Sequence, residues 1–67
     1  MTYTFEFIDA RTGKPIDGGP VCNTWHELNE EQMRILAIGW SAGLKARYKH
    51  PVVVVRNESG MIVRRQY

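Results

Sequence analysis

The sequence predicts an α+β fold: a single helix packed on one face of a three- to four-stranded, mainly antiparallel sheet, with the main elements in the order β-α-β-β. Three patterns predict it. Apolar and polar residues alternate over residues 2–8, and apolar residues recur at helical spacing over residues 24–50. Two aliphatic runs, residues 52–56 and 61–66, flank the turn tetrad Asn57-Glu58-Ser59-Gly60. Residues 1–67 form one compact domain, and a chain of this length buries only ~60% of its unfolded surface.

In the first strand Tyr3, Phe5 and Phe7 fall on one face, and Thr2, Thr4 and Glu6 on the other, which makes the aromatics core candidates. Asp9-Ala10-Arg11-Thr12-Gly13 reads as a tight turn. Lys14-Pro15-Ile16 returns as a brief edge strand, and Asp17-Gly18-Gly19-Pro20 breaks regular structure.

Thr24 with Glu27 makes a capping box that starts the helix, and His50-Pro51 ends it. Glu27, Glu30 and Glu31 lie near its positive end, and Lys45, Arg47 and Lys49 near its negative end. At about 100° per residue, Trp25, Leu28, Ile35, Leu36, Gly39, Trp40, Gly43 and Leu44 form the buried face. Glu30, Arg34, Ser41 and Lys45 lie opposite, with Ile38 an isolated exposed aliphatic among them. Gly39 and Gly43 together cost on the order of 2 kcal/mol of helix propensity relative to alanine. Their place in the stripe predicts a close approach of helix backbone to sheet, beneath an aromatic such as Phe5.

The tetrad 57–60 suits a type I turn closed by a left-handed glycine. That register puts Asn57 opposite Met61, Val55 opposite Val63 and Val54 opposite Arg64. Val53, Val55, Met61 and Val63, followed by Tyr67, then belong under the helix. Val52, Val54 and Ile62 take the other face, among Arg56, Arg64 and Gln66. A right-handed crossover makes the first two main strands parallel, with either the final strand or the valine-rich strand at the centre. A single helix leaves the second sheet face with nothing to cover it.

Charge is strongly asymmetric along the chain. Residues 1–33 hold six acids (Glu6, Asp9, Asp17, Glu27, Glu30, Glu31) against Arg11 and Lys14, a net of −4. Residues 34–67 hold seven bases (Arg34, Lys45, Arg47, Lys49, Arg56, Arg64, Arg65) against Glu58, a net of +6, and the two halves give the overall +2. Such asymmetry points to an interaction surface. The single Cys22 forms no internal disulfide, which fits a reducing, cytoplasmic setting, and no apolar run is long enough to span a bilayer.

Chemistry finds little support. Cys22 and His26 stand four apart at the expected helix start, where a thiol pKa can fall, but no third group is placed to orient His26. One cysteine and two histidines give no zinc-ligand spacing, so no metal is expected. Gly13-Lys14 lacks the upstream glycine and the following Ser or Thr of a phosphate loop, and no cofactor is expected. Gly18-Gly19 is explained by a turn, and Glu30-Glu31 by compensation of the helix dipole. The expectation is a protein that is not an enzyme.

The basic half supplies the candidate binding residues. Arg56, Arg64 and Arg65 lie on a hairpin otherwise built of valine and isoleucine, and arginine beside exposed aliphatics is the composition of protein-binding surfaces. Val54 and Ile62 would add apolar contact, and Lys45 and Lys49 further positive charge. The expected partner is a larger protein or nucleoprotein complex with an acidic surface, blocked by steric occlusion. The alternative is a nucleic-acid-binding module using the same arginines with Lys45 and Lys49. A homodimer through the open sheet face is a third arrangement.

The aromatic strand ending in Asp9-Ala10-Arg11-Thr12-Gly13-Lys14 resembles the strand and turn of recombinase arm-binding domains, over a small part of the chain, and implies no residue roles. In size and lack of catalytic equipment the chain resembles the stand-alone inhibitors encoded by bacteriophages and other mobile elements.

Overall fold

The computed structural model describes residues 1–67 and has the predicted α+β architecture. One helix, α1 (Glu30–Lys45), packs on a four-stranded antiparallel sheet of β1 (Tyr3–Asp9), β2 (Cys22–Trp25), β3 (Pro51–Arg56) and β4 (Ile62–Gln66). The strand order is β2-β1-β3-β4. The valine-rich strand is therefore central, and β1 and β3 run antiparallel rather than parallel. The reason is β2, which lies in the segment expected to open the helix. It reverses the chain against β1 before the helix begins, with Tyr3 opposite Trp25 and Phe5 opposite Asn23.

The turn after β1 is built by Asp9, whose carbonyl accepts from Thr12 and Gly13 N–H and whose Oδ1 accepts from Arg11 N–H. The expected short edge strand is reduced to one bridge between Ile8 and Pro15, which still buries Ile16. Gly19 follows where a side chain has no room: an added Cβ would lie 2.9 Å from Ile16 Cγ2 and 3.0 Å from Tyr48 Oη.

The helix starts five residues later than Thr24. Thr24 is occupied in β2, its hydroxyl 3.3 Å from that of Thr4, and Glu27 has a left-handed backbone (φ 57°) that turns the chain. Asn29 is the N-cap instead. Gln32 N–H donates to Asn29 Oδ1 (2.8 Å) and Asn29 N–H donates to Gln32 Oε1 (2.9 Å), a complete capping box. The helix ends at Ala46, before Lys49 and His50.

The later start changes which residues face the sheet. Met33, Ala37, Ser41 and Leu44 are buried and Leu36 and Trp40 half-buried, a stripe at i, i+3, i+4, i+7, i+8 and i+11. Ser41, expected outside, is buried, whereas Ile35 is exposed. Gly39 and Gly43 do not approach the sheet: an added Cβ at either meets nothing within 4 Å. Trp40 takes the place expected of them, edge-on to Phe5 (ring centroids 4.7 Å apart) and Phe7 (5.5 Å). Tyr3, Phe5, Phe7, Ile16, Val53 and Val55 complete the core.

The β3–β4 hairpin has Asn57 N–H donating to the Met61 carbonyl, as the turn tetrad predicts, with Gly60 at φ 82°. The register then departs from expectation. Arg56 pairs with Ile62 but Val55 with Arg64, so Val63 is the extra residue of a β-bulge. Beyond it every side chain changes face: Arg64 and Gln66 turn to the helix side, Arg65 and Tyr67 to the other. Val63 and Met61 are exposed rather than packed under the helix.

Candidate interaction surface

No element covers the sheet face opposite α1. Strand registers lay its residues out in three cross-strand rows: Thr24, Thr4, Arg56, Ile62; then Cys22, Glu6, Val54, Arg65; then Ile8 and Val52, with Tyr67 following Gln66. A shallow hollow of this face is lined by Glu6, Ile8, Val52, Val54, Arg65 and Tyr67. Although no element lies above them, Val52 and Val54 retain only 4% and 8% of their accessible surface. The longer side chains beside them therefore screen the valine floor, and the accessible part of the face is its rim. Tyr67, 61% exposed, and Arg65 are exposed on that rim.

Arg56 is held within the molecule. Its Nε donates to Glu6 Oε1 (2.5 Å) and Nη1 donates to the Gly60 carbonyl (2.8 Å), so it braces β1 against the hairpin turn. Arg65 has no ion pair. Arg64, across the bulge on the other side, directs Nε and Nη2 to Gln66 Oε1 (3.0 and 2.6 Å).

Of the residues predicted from sequence, the fold thus gathers Val54, Arg56, Ile62 and Arg65 on one surface. Arg64 leaves it because of the bulge. Lys45, in the last helical turn, and Lys49, in the following loop, belong to the helix layer. Glu6, Ile8 and Tyr67 were not foreseen there. Glu6 is legible as the outward residue of an alternating strand, but its meeting with Arg56 depends on β1 and β3 being neighbours.

The charge asymmetry of the chain becomes an asymmetry in space. The molecule measures 30 × 20 × 16 Å. Glu27, Glu30 and Glu31 precede or open α1, and Glu58, in the hairpin turn, accepts from Thr2 N–H at the same end. The other end collects the helix C-terminus, the start of β3 and the ends of β1 and β4, because Asp9 pairs with Pro51 and Val53 with Gln66. It carries Arg11, Lys14, Lys45, Arg47 and Lys49 against Asp9 and Asp17. Arg11 is spent on Asp9 (3.8 Å), and Arg47 lies 5.7 Å from the Tyr48 ring centroid. A 16-residue helix separates the poles by about 24 Å, some three Debye lengths at physiological salt, so acid at one pole does not repel an anion at the other.

Cys22 and His26 lie ahead of the helix rather than at its first turn. Cys22 is exposed on β2, and His26 Nδ1 is 3.1 Å from Thr2 Oγ1. No group of three or more His, Cys, Asp or Glu side chains is arranged to hold a metal ion. No helix is long and apolar enough to cross a membrane. Compared with protein families, curated proteins and solved structures, the chain matches none.

Proposed function

We propose that this is a small non-enzymatic interaction protein that binds a larger protein or nucleoprotein complex through its uncovered sheet face and blocks it sterically, as the inhibitors of mobile elements do. One observation carries the reading: a four-stranded sheet leaves a whole face without a covering layer, and Arg65 and Tyr67 are exposed at the rim of its screened valine floor. Tyrosine and arginine are enriched at the centres of protein interfaces, where an aromatic body and a planar guanidinium combine apolar contact with pairing to carboxylates. Arg56, fixed by Glu6, serves as scaffold, and Arg65 is free to engage an acidic group.

A second reading, nucleic-acid binding, is favoured by the separation of the poles. Lys14, Arg47, Lys45 and Lys49 form a basic end where positive charge outnumbers the neighbouring Asp9 and Asp17. Capture from cell lysate with and without nuclease tests the proposal. A protein partner retained after nuclease treatment supports it. Retention that disappears with nuclease, with affinity falling steeply as salt rises, overturns it in favour of the second reading.

A further inference from the structure

The outward side of α1 carries a single charged residue, Glu31, in its first turn. Arg34 and Lys45 fall on one flank, and Glu30 stands in line with the buried Ala37 and Ser41, ahead of them at the helix start. Ile35 and Ala42 lie directly opposite the core, and the C-cap Ala46, Gly39 and Gly43 follow round the helix toward Leu36; all five are exposed. Ile35 is 60% exposed, with the exposed Glu31 and Ile38 beside it, and space around both glycines is open. Residues 39, 42, 43 and 46 stand at i, i+3, i+4 and i+7, the four corners of a hole into which a facing helix inserts a knob. Two exposed mid-helix glycines weaken the helix, and they edge a shallow hollow shared with Pro20, Asn23 and Trp40.

We propose that this face binds a second copy of the chain, helix against helix and antiparallel. A two-fold axis beside Gly39 sets Ile35 of each copy level with the hole formed by Gly39, Ala42, Gly43 and Ala46 of the other, so one contact is made twice. The same symmetry lays the acidic start of one helix beside the basic end of its mate, with Glu31 in the reach of Lys45 and Lys49. A parallel arrangement would instead place like charges together. Charge therefore selects the second copy and its direction, while the glycines allow close approach. The contact is a single pair of helices, so the dimer is weak and sensitive to salt. Both uncovered sheet faces remain outside the pair, so the inference stands independently of the proposed function.

Sedimentation velocity over a wide range of concentrations tests it, with folding of every variant checked by circular dichroism. The wild type is expected to pass from monomer to dimer. I35D should weaken the dimer roughly tenfold or more, because it puts a charge in an apolar hole. E31K and the pair K45E/K49E should each weaken it, and the three changes combined in one chain should restore it. Gly39→Ala with Gly43→Ala should raise the melting temperature yet weaken the dimer, opposite signs that a merely structural role for the glycines does not produce. A chain monomeric to millimolar concentration, a dimer indifferent to I35D, or charge variants whose effects do not reverse on combination would each overturn the proposal.

Discussion

Arg56 reaches across the β1–β3 pair to Glu6, joining residues fifty positions apart on the uncovered face and carrying the hairpin turn with it through the Gly60 carbonyl. The same contact withdraws Arg56 from binding and leaves Arg65 as the unpaired arginine of that surface.

Because the side chains are 41% (Arg56) and 32% (Glu6) exposed, the pair is screened and its worth is modest. A double-mutant cycle with Glu6→Gln and Arg56→Gln, followed by urea unfolding, should give a coupling of about 0.5–1 kcal/mol that shrinks as salt rises.

The helix start is testable through its two rival caps. Asn29→Ala should cost about 1 kcal/mol, since it frees Gln32 N–H and opens the box. Thr24→Ala, on an exposed edge strand, should change stability by less than about 0.5 kcal/mol. Thermal unfolding of the two variants makes the comparison.

Ser41 is 2% exposed and its hydroxyl has no hydrogen-bond partner. Ser41→Ala removes a desolvated polar group and improves helix propensity, so it should stabilise by about 1 kcal/mol. Calorimetry should show the melting temperature rising by roughly 4–8 °C.

Gly19 is confined by Ile16, which is buried and has little room to shift, and by Tyr48. Gly19→Ala should therefore destabilise by about 1–3 kcal/mol in the same assay.

These positions show which parts of the fold were legible in the sequence. The period of two in β1 identified Tyr3, Phe5 and Phe7 as core because alternation is a local property of one strand. The turn at residues 57–60 was legible for the same reason. The helix start was not, since Thr24 with Glu27 and Asn29 with Gln32 have the same capping spacing. Pairing of β2 with β1, a long-range matter, decides between them. Counting Trp25 and Leu28 into the helix then rotated its apparent apolar stripe, hiding Met33, Ala37 and Ser41 and misplacing the glycines. On the candidate surface, Val54, Ile62 and Arg65 followed from the composition of the hairpin. Arg64 and Tyr67 did not, because a single bulged residue, Val63, exchanges the two faces of β4 and leaves no mark in the alternation pattern.

The measurement that tests the central claim most directly compares two double variants in binding to a nuclease-resistant partner, once both are shown to fold. One is Arg65→Ala/Tyr67→Ala on the uncovered face, and the other is Lys14→Ala/Arg47→Ala at the basic pole. The face variant should lose affinity at least about tenfold while the pole variant keeps it. Loss by the pole variant with retention by the face variant would contradict the assignment of the sheet face as the binding surface.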